Sequence, residues 1–297
     1  MLENWIFWSL LAAVMQSVRT AGQKYLTADV SPLGATLVRY LFAVPFIVAY
    51  IGWLLHDRAT DIPPLNTTFV VCSLGAGVLQ IIATVLLVRL FTLRNFAVGS
   101  CYIRTEVLTT AVLGLLLFGE MVSGLGWLAM LTCVTGLVLI TIAKTGRLSE
   151  LWNVSAIYGL GAGVSLSFTS LFIRQASLSF GIHDAVFTAA LTLGFMIVIQ
   201  TLICLVLLAW QNAEEIVIVF RKWRASLFVG VTSVIGSAGW FTAFTLERAA
   251  YVKTLGQVEF LITLAISILY FKEKPNRIEA VGMAILVGGV VLLLHAP

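Results

Sequence analysis

The chain has 297 residues, of which 60% are hydrophobic and 11% charged, with 18 basic and 14 acidic side chains and a formal net charge of +4. Soluble domains run at about 45–50% apolar and about 25% charged. A mean hydropathy of +1.03 therefore excludes a water-soluble globule of this size and a disordered chain. The mild basic excess suits orientation of a membrane chain, and no basic run or aromatic–basic motif offers a nucleic-acid surface.

Ten apolar spans are predicted, at about 5–26, 32–55, 67–91, 98–118, 123–143, 154–173, 184–210, 224–246, 252–271 and 278–295. The start, MLENWIFW, has an acidic residue and no positive n-region, so the first span reads as a retained helix. Ser31-Pro32 opens the second span, since proline suits a first helical turn. HDRATDIPPLN, TGRLSELWN, QNAEE with RKWR, and KEKPNR divide later spans. Alternating strand patterning is absent, which excludes a β-barrel. Cys72, Cys101, Cys133 and Cys204 all lie in apolar segments without metal-ligand spacing and read as small buried hydrophobes.

Shifted by 153 residues, the halves align without a gap over four spans. Phe91-Thr92-Leu93 falls on Phe244-Thr245-Leu246, Glu106 on Glu259, Thr110 on Thr263, Glu120 on Glu273, and Gly136 on Gly289. Shared apolar composition explains leucine on leucine, not buried glutamates and glycines in register. The expected fold is an all-α polytopic membrane protein of ten transmembrane helices, built as two five-helix repeats, 1–148 and 149–297. Five is odd, so the second repeat enters from the opposite side, the architecture that lets carriers alternate access around a midplane site. FGEMVSG between spans four and five has no basic residue, whereas FKEKPNR between nine and ten holds Lys272, Lys274 and Arg277. Positive residues mark the cytoplasmic side, so these equivalent loops fall on opposite faces. Counted over all connections, the bias puts both termini outside the cytoplasm.

LVRYLFAVPFI in span two, LLLFGE and ILYFKE ending spans four and nine, and the glycine-bearing spans five and ten resemble the drug/metabolite transporter superfamily, in its ten-helix EamA-like branch. The resemblance covers nearly the whole chain. It implies a secondary carrier for small metabolites in the bacterial cytoplasmic membrane, with a central cavity between the repeats and cytoplasmic termini.

Charged groups at membrane depth cost at least ~2.5–3.5 kcal/mol each on insertion scales, so those present need a reason. Glu106 and Glu259 are the candidate proton-coupling carboxylates, and each shares a face with a threonine four residues on. Arg104, Gln257 and Tyr102 are candidate solute contacts. Lys253, one turn before Gln257, and Arg39, which also matches a family position, are further ones. Gln80 and Trp240 sit mid-span and complete the candidate lining. The alternative for the charges is a structural lock, with the glutamates paired to Arg39, Arg104 or Lys253. Gln16, Arg19, Gln23 and Lys24 form a polar stripe in span one. Lys24 and its counterpart Arg174 read as interfacial or gating residues, and Glu120 and Glu273 as helix-end anchors. Gly159, Gly163, Gly236, Gly239, Gly282, Gly288 and Gly289 are expected at close helix approaches.

The only histidines are His56, His183 and His295, all at span ends, and no GxSxG elbow, HExxH or P-loop occurs. The expectation is a carrier and not an enzyme, with no cofactor, metal or nucleic-acid partner. Its solute is a small amino-acid-like metabolite, cationic or zwitterionic. A lipid flippase and a channel or uniporter are the alternatives. Lipid surrounds the chain, as monomer or homodimer.

Overall fold

The computed structural model describes residues 4–92, 102–145, 154–262 and 276–296. Cys101, Lys272, Glu273 and Lys274 lie outside them. The described residues form helices and no strand. In chain order the helices are α1 (Trp5–Leu26), α2 (Pro32–Leu41), α3 (Val44–Arg58), α4 (Thr67–Thr92), α5 (Glu106–Phe118) and α6 (Gly124–Thr145). There follow α7 (Val154–Leu178), α8 (Ala185–Asn212), α9 (Glu214–Arg221), α10 (Trp223–Leu246), α11 (Ala249–Gly256) and α12 (Arg277–Leu294). Seven segments, counting α2 with α3 as one, are long and apolar enough to cross a membrane, and α5 is a shorter apolar helix. Lipid offers backbone groups no hydrogen-bond partner, so an apolar chain satisfies them internally as helix.

Helix starts carry polar caps. The Asn4 side chain accepts from the Ile6 N–H at 2.9 Å, and Asp184 accepts from the Phe187 N–H at 3.0 Å. Ser31 accepts from the Gly34 N–H with Pro32 in the first turn of α2, and Asn276 with Glu279 closes a capping box on α12.

Three spans differ from the sequence expectation. The second is not one helix over 32–55 but two, broken at Phe42–Ala43. Pro45 lies in the first turn of α3, where its missing N–H and its ring stop α2 from continuing. The segment after α8 is a short helix, α9, whose Glu215 carboxylate accepts from the Ser31 N–H and hydroxyl at 2.9 and 2.7 Å. In the fourth span the helix is interrupted by a turn at Arg104–Thr105, and in the ninth by a turn at Gln257.

The most extensive helix pairings are α6 with α12, α4 with α7, and α1 with α10. The first is a close backbone approach made by glycine. A Cβ on Gly136 would stand 2.7 Å from the Gly282 carbonyl and the Leu286 nitrogen. One on Gly289 would stand 2.7 Å from the Cys133 nitrogen and 3.0 Å from the Ala129 carbonyl. As the numbering rises along α6 its partners fall along α12, so the two helices pack antiparallel. Gly239 likewise meets the Trp8 carbonyl at 2.8 Å, whereas Gly288 faces open space. The close-approach expectation for Gly288 is therefore corrected.

Gly136→Ala is expected to destabilise the protein by about 1–3 kcal/mol, because backbone atoms on the facing helix cannot swing aside as a side chain would. Thermal unfolding in detergent measures this. Gly52→Ala, which meets nothing within 4 Å, is expected to cost no stability.

Candidate functional site

A cavity of about 240 Å³ lies inside the bundle, lined from α1, α2, α4, α7, α10 and α11 and from the two interrupted segments around Arg104 and Gln257. The interruptions are what place charge there. The turn at Arg104–Thr105 makes Glu106 the first residue of α5, where the positive end of the helix favours a carboxylate. The turn at Gln257 ends α11 one turn after Lys253, where the negative end favours an ammonium. The two meet: Lys253 Nζ stands 3.2 Å from Glu106 Oε2. Lys253 also lies over the rings of Trp240 and Phe244, at 5.6 and 5.7 Å from their centroids. The two rings stack on each other. The Glu106 backbone carbonyl accepts from Thr110 at 2.6 Å and from Ser167 at 3.0 Å, which fixes this helix start against α7.

Glu259 is held differently. Gln16 donates to Glu259 Oε2 at 2.8 Å, and its own amide oxygen accepts from the Trp240 indole N–H at 2.9 Å. Trp240, Gln16 and Glu259 thus form one chain across α10, α1 and the ninth span. Arg104 donates to Gln257 Oε1 at 3.1 Å and lies 5.4 Å over the Phe260 ring. Arg39 donates to Thr84 at 3.1 Å. Gln200, on α8, donates to Gln80 Oε1 at 2.9 Å and to the Gly77 carbonyl at 3.1 Å, which steadies the α4 wall.

Of the residues singled out in the sequence, Arg39, Gln80, Arg104, Glu106, Trp240, Lys253, Gln257 and Glu259 all line the cavity. Tyr102 does not. The turn at Arg104–Thr105 separates it from Glu106, so the two do not share one continuous helix face. Gln16, Arg19 and Gln23 were noted only as a stripe, yet they line the cavity too, on one face of α1. Their spacing of three and four residues was the signal. Lys24, next in sequence, is exposed.

Arg174 ties α7 to the loop after α5 and to the end of α10. Its Nε pairs with Glu120 at 3.1 Å, and its Nη1 donates to the carbonyls of Phe244 and Glu247, both at 2.6 Å. Burial pushes the Glu120 carboxyl, in the α5–α6 loop, above its ordinary range, and the Arg174 charge pulls it back. No group of three or more His, Cys, Asp or Glu placed to hold a metal ion occurs among the described residues.

Comparison with known proteins gives the family. The model of the EamA-like transporter family matches residues 3–142 and again 153–295. The chain is similar to the pseudopaline exporter CntI of Pseudomonas aeruginosa, with 25% identity over 178 residues, 60% of this chain and 58% of that protein. It is also similar to a probable magnesium transporter of Candida albicans, with 34% identity over 68 residues, 23% of this chain and 18% of that protein. The matched stretch thus spans less than two thirds of either relative. One crystal structure shares the fold, with a TM-score of 0.69 at 16% identity over 97% of this chain and 94% of the other. Seven of this chain's described segments are long and apolar enough to cross a membrane, and, matched by the family model over both of its halves, the chain belongs to the EamA-like transporter family.

Proposed function

We propose that the protein is a secondary active transporter that carries a small amino-acid-like solute across the cytoplasmic membrane of a bacterium by alternating access. Two inverted five-helix repeats, 1–148 and 149–297, rock about the cavity, and Glu106 and Glu259 carry the coupled protons. The observation that carries this reading is the cavity itself: charged side chains at Arg19, Arg39, Arg104, Glu106, Lys253 and Glu259 line it, and it is bounded by the two interrupted segments at Arg104 and Gln257. These residues are 153 apart, the offset that aligns the halves, and discontinuous helices at matching points are how carriers frame a midplane site.

Other contacts support the repeats. Gly136 against Gly282 and Leu286 becomes, after a shift of 153, Gly289 against Ala129 and Cys133, and both contacts occur. Reciprocal contacts of this kind are the mark of a two-fold relation, and antiparallel packing of α6 and α12 fits an axis in the membrane plane. The pairing of α4 with α7 exchanges into that of α10 with α1. The family model also matches each half separately.

The lining favours a zwitterion over a bare cation. Arg19, Arg39, Arg104 and Lys253 face Glu106 and Glu259, four cations to two carboxylates. In the proposed cycle the Lys253–Glu106 pair opens when the solute's carboxylate competes for the ammonium, and Glu106 takes a proton. Arg39, Arg104, Gln257, Gln80 and Trp240 contact the solute.

In proteoliposomes, solute-driven proton flux is expected to fall by about tenfold or more, equivalent to about 1.4 kcal/mol, in Glu106→Gln and Glu259→Gln proteins. The solute is first chosen by a thermal-shift screen of the purified protein, since a ligand stabilises by RT ln(1 + [L]/Kd). Unchanged flux in both variants removes the proton assignment. The ion pair has its own measurement. Lys253→Met alone leaves Glu106 buried without its counter-charge and is expected to cost about 3–5 kcal/mol, and Glu106→Gln in the same chain should recover most of it. Equal unfolding midpoints for the single and double variants would show that the pair adds no coupling.

A further inference from the structure

The charge in the cavity is not balanced, and the imbalance is localised. Lys253 has Glu106 and two aromatic faces about it. That leaves Arg19, Arg39 and Arg104 with Glu259 as the one remaining carboxylate among the described lining residues. Arg19 and Arg39 are only 6% and 7% exposed. Arg19 lies within Coulombic reach of both Arg39 and Glu259, so two like charges share one low-dielectric wall with a single counter-charge. The Nε atoms of Arg19, Arg39 and Arg104 are all buried without a hydrogen-bond partner. A guanidinium presents five N–H donors in a planar fork that fits a carboxylate two at a time. Unused buried donors are costly unless something occupies them. Arg104 is held by Gln257 and laid on Phe260, and it is not among the charges that act on Arg19, whereas Arg39 is, so the donors fall into an Arg19–Arg39 pair and a separate Arg104.

We propose that the transported solute is an organic anion with two or more carboxylates. One carboxylate engages Arg19 and Arg39 and another engages Arg104, and an amino group, where present, faces Glu259. This rests on the carrier reading above and narrows its solute to acidic members of the amino-acid-like class. Two separated arginine groups suit two carboxylates on one carbon frame better than one compact phosphate. Divalent cations and polyamines are disfavoured by the same excess charge.

The test uses the purified full chain in detergent, in a thermal-shift titration at neutral pH. The probes are L-glutamate, succinate, dimethyl succinate, putrescine and glycerol phosphate. Saturable stabilisation by glutamate or succinate, with none from the ester or putrescine, is the expected result. Arg19→Gln and Arg39→Gln should weaken that binding by about tenfold or more, as loss of a charge-assisted contact does. Arg39→Lys should keep part of it, and Arg89→Gln, outside the cavity, should keep all of it. Should the glutamine variants fail to fold, phenylglyoxal labelling of the native protein replaces them: succinate should protect Arg19, Arg39 and Arg104. No protection, stabilisation by putrescine or the ester alone, or tighter binding of glycerol phosphate than of either dicarboxylate overturns the proposal. Counterflow in proteoliposomes separates the two readings. Movement of a cation or neutral solute with no dicarboxylate binding removes the anion site and keeps the carrier. Dicarboxylate binding without counterflow of any probe removes the carrier and keeps the site.

Discussion

A lysine ammonium in the interior of an apolar bundle has to find a counter-charge, and in this protein the surrounding architecture is arranged around the one it finds. Lys253 reaches Glu106 at 3.2 Å because two helices stop where they do. α5 begins at Glu106 and α11 ends one turn after Lys253, so each charge sits at the helix end whose partial charge opposes it. Uninterrupted helices would give neither group that help. Breaking a helix inside a membrane also frees backbone donors and acceptors, which is tolerated where they face a polar cavity and not lipid. The ion pair, the breaks and the cavity therefore depend on one another.

The sequence made the charged part of this legible and the backbone part not. Glu106, Glu259, Arg39, Arg104 and Lys253 stood out because charge at depth is costly, and each of them lines the cavity. The turn at Arg104–Thr105 has no proline or glycine to announce it, and Tyr102, just before it, does not line the cavity. At Phe42–Ala43 the proline three residues later was visible, but a proline near an apolar run reads equally as a kink or as a stop. Arg19 and Gln16 stand out in sequence only as members of a polar stripe that also holds the exposed Lys24. Where a stripe runs from a cavity to a surface, its spacing does not show which members lie inside.

Glu106 and Glu259 show how far two aligned positions can part. The residue that stands to the second half as Lys253 has Ser100 as its counterpart in the first. A lysine therefore serves Glu106, while Glu259 takes an amide proton from Gln16, itself held by Trp240. One carboxylate meets an ammonium directly, and the other accepts from a neutral amide with the Arg19 charge within Coulombic reach. The two aligned positions therefore carry unlike electrostatics.

Arg174 ties three segments with a single side chain: the loop after α5 through Glu120, its own helix α7, and the closing carbonyls of α10 at Phe244 and Glu247. Those carbonyls have no further helical turn to accept from, so the guanidinium stands in for the missing one. Because one guanidinium holds a carboxylate and the carbonyls of Phe244, Thr245 and Glu247, a single rotation of that side chain would undo all four contacts at once, so the three segments are joined or parted together, as by one clasp.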